Sequence, residues 1–207
     1  MDKRDVRQIS LHRSRKLALL MDLDETIISA HRVTKDICIL GTKELKEVHL
    51  SDNSKYIMFI RPGTEEFLRD LSPLYDIYVC TFSTKEYALK VIKKLDQASQ
   101  YLQKEVFTRQ DCQLHPPSKL PVLNRLLPLN NPLAMIVDDN ISMWQVDGAL
   151  AYPEKTIEAK PFLRFEEEAL VQIHGSWYRA NRGNDDYLSS LGVYLKKNHT
   201  KFYESMY

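Results

Sequence analysis

Asp22-Leu23-Asp24-Glu25-Thr26 sets two carboxylates one residue apart, directly after the short apolar run Leu17–Met21. In extended backbone, side chains two residues apart project to the same side. Carboxylates held that close repel each other unless a proton or a cation sits between them. Such a pair is costly as structure and useful as chemistry. One member can bind a hard cation such as Mg²⁺ and attack phosphorus, while the other carries a proton to the leaving oxygen. A bare pair of this kind reads first as two solvated acids, and three further features change that reading. Thr81 closes a second apolar run, and its hydroxyl can donate to a phosphate oxygen; Ser83 follows it. Lys119 opens a helix-like stretch and offers a point charge to phosphate and carboxylate. Asp138-Asp139 closes a third run and adds the oxygen ligands that Mg²⁺ prefers.

The elements that must position these groups follow from the pattern around them. The runs 17–21, 76–81 and 133–137 are short, apolar and end in polar residues, as buried parallel strands do. Ligands of an open α/β sheet bind outside the carboxyl ends of its strands, so three polar ends converge on one place. Between the runs lie helix-like stretches at 64–74, with Thr64 as N-cap, at 84–95 and at 119–127. That alternation predicts an α/β fold, a Rossmann-like parallel sheet flanked by helices. Residues 28–60 break it. Runs at 37–40, 46–50 and 56–60, separated by Gly41-Thr42 and Ser51-Asp52-Asn53-Ser54, predict a small antiparallel insert beside the strand ends. Residues 1–16 read as a solvated basic lead-in and 17–165 as the main domain. Residues 166–207 read as a helical extension with stretches at 166–179 and 185–203. The second carries Leu188, Leu191, Leu195, His199 and Phe202 for packing on the core, after an Asn184-Asp185-Asp186 start suited to a helix N-terminus.

Composition narrows the classes. Twenty-nine Lys and Arg against 28 Asp and Glu leave a net charge of +1, which gives no electrostatic reason to expect nucleic acid or a membrane as partner. No run approaches the length of a membrane span. Three cysteines without metal-like spacing fit a reducing compartment. A cysteine phosphatase needs arginine six residues after its nucleophile; Glu44, Glu86 and Ser118 stand there instead. Neither a P-loop nor a Gly-x-Gly-x-x-Gly string occurs. Trp144 and Tyr75 read as packing residues, with contact to substrate near the site as the alternative for each.

The order of acid pair, hydroxyl, lysine and acid pair resembles that of the haloacid dehalogenase superfamily. Several strings narrow the likeness to FCP/SCP-type phosphatases, which act on the C-terminal domain of RNA polymerase II: LMDLDETI at 20–27, RPGTEEFL at 61–68, YVCTFSTKEYA at 78–88, SKLPVLNRLLP at 118–128 and IVDDNISMW at 136–144. AKPFLRF at 159–165 and the segment 185–203 match the longer FCP branch. The resemblance implies a Mg²⁺-dependent serine/threonine phosphatase working through an aspartyl-phosphate. Asp22 would be the nucleophile and a metal ligand. Asp24 would be the general acid and then the base, with its carbonyl on the metal. Thr81 and Lys119 would hold the phosphoryl oxygens. Asp139 would bind the metal directly, with Asp138 orienting it or Lys119. Arg61, Arg109, Thr26 and Ser83 would serve substrate binding. The implied substrate is the phosphorylated repeat of the largest RNA polymerase II subunit. General transcription factors are implied as further partners, and a nuclear location follows. Two departures stand out: Asn140-Ile141 replaces a charged pair common in the FCP branch, and the 42 residues after Phe165 are too few for a BRCT-type domain. The competing readings are a small-metabolite phosphatase on the same scaffold and a non-catalytic phosphopeptide-binding or import-receptor-like module.

Overall fold

The computed structural model describes residues 2–33, 45–128, 131–163 and 185–206. In chain order, helix α1 (Lys3–Ser14) leads into β1 (Leu17–Met21), and β2 (Ile28–Val33), β3 (Leu45–His49) and β4 (Lys55–Ile60) follow. Then come α2 (Thr64–Leu71), β5 (Tyr75–Cys80), α3 (Lys85–Leu95) and β6 (Leu102–Phe107). The hairpin strands β7 (Gln113–Leu114) and β8 (Pro117–Ser118) precede α4 (Leu120–Leu126) and β9 (Ala134–Asp138). A second hairpin, β10 (Gln145–Val146) with β11 (Ala149–Leu150), is followed by β12 (Thr156–Glu158) and α5 (Tyr187–Glu204).

Strand β1 is apolar at all five positions because both faces of the sheet are covered, and all five side chains are buried. It lies at the centre of a five-stranded sheet ordered β12-β9-β1-β5-β6, with every pairing parallel. The chain builds outward from β1 through β5 to β6, then crosses back to β9 and β12. The strand order therefore reverses beside β1, and the crevice outside the strand ends at such a switch point is where α/β sheets hold ligands. Asp22, Thr81 and Asp138-Asp139 stand on the three adjacent strand ends there. The parallel α/β architecture expected from the alternation is the one observed.

Details differ from the sequence reading in instructive ways. The basic stretch at 1–16, expected to be a solvated lead-in, is largely helix α1. Asp2 caps it by accepting Arg4 N–H at 3.2 Å, Leu11 is fully buried, and Arg7 donates to the Leu126 carbonyl at 2.8 Å. Leu11 is the only buried residue of the helix, so no apolar stripe announced it. Edge strands β6 and β12 lie outside the three expected strands: β6 carries Gln103, Lys104 and Glu105 in its middle, and β12 has three residues. The insert is an antiparallel sheet ordered β2-β4-β3. Strand β2 was not anticipated, because Ser29, His31 and Arg32 break its apolar pattern. The expected run at 37–40 and helix at 166–179 lie outside the described residues.

Arg61-Pro62-Gly63-Thr64 explains how α2 begins. Proline and then glycine at φ +81° form a turn closed by Thr64 N–H to the Arg61 carbonyl at 3.3 Å. Any side chain at residue 63 would be strained there. Gly63 is thus the N-cap in place of Thr64, whose hydroxyl instead donates to the Arg61 carbonyl at 2.7 Å. Helix α5 packs on α2, where a Cβ at Gly192 would lie 3.6 Å from Phe67. Its Leu188, Leu191, Leu195 and Tyr203 are buried, and its Leu195 carbonyl accepts the Tyr75 phenol at 2.8 Å.

Candidate active site

Lys119 is where the strand ends meet. It stands at the N-cap of α4, its backbone N–H fixed on the Met143 carbonyl at 2.8 Å, and only 2% of it is exposed. Its ammonium donates to Asp22 Oδ1 at 2.7 Å and to Asp138 Oδ2 at 2.6 Å. Asp138 Oδ2 also accepts the Trp144 indole N–H at 2.8 Å, and its Oδ1 accepts Asn140 N–H at 2.9 Å. Both oxygens of Asp138 are thereby engaged. Asp22, buried with 6% exposure, has no partner for Oδ2 among the described residues. Asp139 Oδ1 accepts the Thr26 hydroxyl at 3.1 Å, while Thr26 Oγ1 accepts Asp139 N–H at 3.1 Å.

One oxygen each from Asp22, Asp138 and Asp139 lie within 4.8 Å of one another. Three acids crowd a single ammonium, and the electrostatics record it. Burial pushes the Asp22 carboxyl well above its ordinary range, and Asp138 and Asp24 add to the rise against the pull of Lys119. Burial and then Asp138 raise Asp139, opposed by Thr26. Burial disfavours the charged Lys119, but Asp22 and Asp138 outweigh it and raise its pKa, so the ammonium persists. A cluster of hard oxygens with excess negative charge suits a divalent cation, which would relieve that crowding.

Asp24 faces elsewhere. Its Oδ1 accepts the Tyr87 phenol at 2.6 Å and its Oδ2 the Ser83 hydroxyl at 2.8 Å. The loop bearing both acids is tight: Glu25 N–H donates to the Ile28 carbonyl at 2.7 Å, and Glu25 adopts φ +60°. A non-glycine residue enters that left-handed region at a cost of about 1–2 kcal/mol, a strain often kept where side-chain direction matters. Thr81, at the end of β5, is buried; its Oγ1 accepts Ser83 N–H at 3.2 Å, leaving its own proton to donate.

The four residues expected at the substrate divide. Arg109 is exposed, with its Nε on the Phe82 carbonyl at 3.0 Å and its guanidinium over the Phe82 ring. Ser83 is turned to Asp24. Thr26 and Arg61 are enclosed. Arg61, 1% exposed, donates to the carbonyls of Thr26 and Lys160, each at 2.8 Å, and to Asp185 Oδ2 at 3.1 Å. Its guanidinium stacks between Tyr187, at 4.3 Å, and Phe162, at 5.3 Å. Arg61 supports the acid loop from behind, so substrate contact is not its geometry, and the same holds for the Thr26 hydroxyl. Sequence reasoning missed Tyr87, counted as one apolar position of a helix face, and the Trp144 bond to Asp138. For Tyr87 the usable signal was a phenol in the first turn of the helix that follows a functional strand end.

Comparison with known proteins follows the same outline. Residues 17–186 match the family model described as NLI interacting factor-like phosphatase. A Caenorhabditis elegans phosphatase named for the C-terminal domain of RNA polymerase II is 27% identical over 203 residues, covering 92% of this chain and 29% of that protein. A Homo sapiens protein of the same name is 30% identical over 139 residues, covering 67% of this chain and 14% of that protein. The chain thus spans less than a third of either relative. Among solved structures, that of Fcp1, described as an essential RNA polymerase II CTD phosphatase, superposes with a TM-score of 0.76 at 23% identity, covering 98% of this chain and 67% of the other.

Proposed function

Since the chain belongs to the NLI interacting factor-like phosphatase family, we propose that it is a Mg²⁺-dependent phosphatase of phosphoserine and phosphothreonine in extended peptides, acting through an aspartyl-phosphate on Asp22. One observation carries the reading: Lys119 holds Asp22 and Asp138 at adjacent strand ends, 2.7 and 2.6 Å away, with Asp139 completing a cluster of oxygens. The names of the relatives support the phosphorylated C-terminal repeat of RNA polymerase II as substrate, and with it a nuclear location.

Asp22, Asp139 and the Asp24 carbonyl would hold Mg²⁺, with Asp138 steering Lys119. The ion would neutralise charge on the phosphoryl group as it transfers. Asp22 attacks phosphorus through its unbonded Oδ2. As the bond to the serine oxygen breaks, Asp24 gives that oxygen a proton; Asp24 then takes a proton from the water that hydrolyses the acyl phosphate. Lys119 and the Thr81 hydroxyl receive the equatorial oxygens. Thr26 fixes Asp139, Arg61 fixes Thr26, and Arg109 is the exposed cation available to a peptide. The insert is fastened to α3 by Ser51 N–H and hydroxyl to Glu86, at 2.8 and 2.7 Å. An insert of roughly 30 residues, fastened there, is too small to enclose a ligand, which favours a peptide over a small metabolite.

The test is phosphate release with Mg²⁺ from doubly phosphorylated Ser-Pro heptad peptides set against free phosphometabolites. Release from peptides that Asp22→Asn abolishes supports the reading. Turnover of metabolites alone moves the substrate class, and tight phosphopeptide binding without release makes the chain a binding module.

A further inference from the structure

In the proposed reaction Asp24 has a proton to deliver, and its carboxyl must be aimed to do so. A carboxyl on a loop turns about two side-chain bonds, and an ångström of misplacement slows a proton transfer severely. Here both oxygens are held: Oδ1 by Tyr87 at 2.6 Å and Oδ2 by Ser83 at 2.8 Å. The two donors come from consecutive pieces of chain, the end of the β5–α3 loop and the first turn of α3. We propose that Tyr87 and Ser83 are positioning residues that aim the Asp24 carboxyl at the leaving oxygen, and that the β2–β4 insert takes part in the reaction by holding Tyr87 in place.

The second half of the proposal rests on how Tyr87 is itself fixed. Its backbone N–H donates to the Thr84 cap at 3.4 Å. Its ring lies against Tyr56 of β4, with centroids 5.0 Å apart and planes at 58°. On either side of it along α3, Glu86 is bonded to Ser51, and Lys90 reaches the His49 carbonyl. The insert therefore grips the same helical turn that presents the phenol. Nothing else in the proposed chemistry requires a tyrosine here.

The inference rests on Asp24 being the proton donor, and a leaving-group comparison separates the two claims. A nitrophenolate departs without a proton; a serine alkoxide does not. The second-order rate constant kcat/KM reports only steps up to leaving-group departure, so hydrolysis of the acyl phosphate does not intrude. Tyr87→Phe keeps the ring against Tyr56 and should lower kcat/KM for a phosphoserine peptide by about tenfold to a hundredfold, and by at least about fivefold more than for p-nitrophenyl phosphate. Ser83→Ala should show the same asymmetry, and supplies the test if Tyr87→Phe does not fold. Equal losses on the two substrates, or none, with Asp24→Asn still selective against phosphoserine, overturn the positioning role. An Asp24→Asn variant without that selectivity overturns the reading of Asp24 itself. Tyr56→Ala, assayed the same way, should reproduce a smaller part of the asymmetry; a uniform loss would remove the insert from the proposal.

Discussion

Asp22 and Asp24 share a side-chain type and are separated by one residue, yet their surroundings have little in common. Asp22 is buried against an ammonium that a second acid also claims, and burial, with Asp138 and Asp24 adding to it, raises its pKa. Asp24 is half-buried and ringed by neutral hydroxyls from α3 and the loop before it. One neighbourhood is a set of crowded charges that suits the proposed ion and phosphoryl group; the other is a set of neutral donors that suits the proposed aiming of a carboxyl. Environment rather than residue type separates the tasks of such paired acids.

The comparison can be broken first on the ionic side. Asp22→Asn keeps the shape but removes the oxygen proposed to attack phosphorus, so turnover of any phosphoester should fall by at least about a thousandfold, measured as phosphate release. Residual turnover above that level would move the nucleophile elsewhere. Next, Lys119→Met leaves two buried acids without their shared cation and should cost about 3–5 kcal/mol in urea unfolding. Mg²⁺ should restore part of that loss and EDTA should not; equal midpoints in both would argue that no cation sits among the acids. Third, Asp139→Asn should weaken Mg²⁺ binding, followed by calorimetry, by about a hundredfold, and Asp24→Asn by much less. Similar losses would erase the division of labour.

The smallest expected effect lies on the hydroxyl side. The carboxylate of Glu86, held by Lys90 and Ser51, sits at about 2, below its ordinary value. A folded-state pKa that is depressed contributes stability above the unfolded value and loses it as pH falls toward the folded one. Docking of the insert on α3 should hold from neutral pH down to the ordinary glutamate range and loosen only in stronger acid. Glu86→Gln should flatten that loosening, read by hydrogen exchange at residues 51–56.

What was legible in the sequence follows from the same contrast. The strand ends carrying Asp22, Thr81 and Asp138 could be found because apolar runs stop at polar residues, a signal that needs no knowledge of tertiary contacts. Their convergence on one place followed from the expected sheet, while a tie between Asp138 and Lys119 was an implication of the family resemblance. The Asp24–Tyr87 bond spans 63 positions, and a tyrosine on an amphipathic helix looks apolar until the partner is seen. The reassignment of Arg61 failed to show for a related reason. An arginine beside a phosphate site and an arginine enclosed by carbonyls and aromatic rings carry the same letter, and only burial tells them apart. Helix α1 and strand β6 stayed hidden because their contacts come from single buried residues and long charged side chains rather than from a stripe.

Arg61 also has a bearing on how the protein comes into being. Its guanidinium is bonded to residues 26, 160 and 185, which no short-range folding event brings together. Contacts so distant along the chain carry a loop-closure cost that must be met before they contribute. The backbone at Thr26 is held through Arg61 to Asp185, 124 residues beyond that arginine, and the Thr26 hydroxyl passes the restraint to Asp139. The placing of Asp139 within the acid cluster thus depends, through Thr26 and Arg61, on a residue remote from that cluster in the chain.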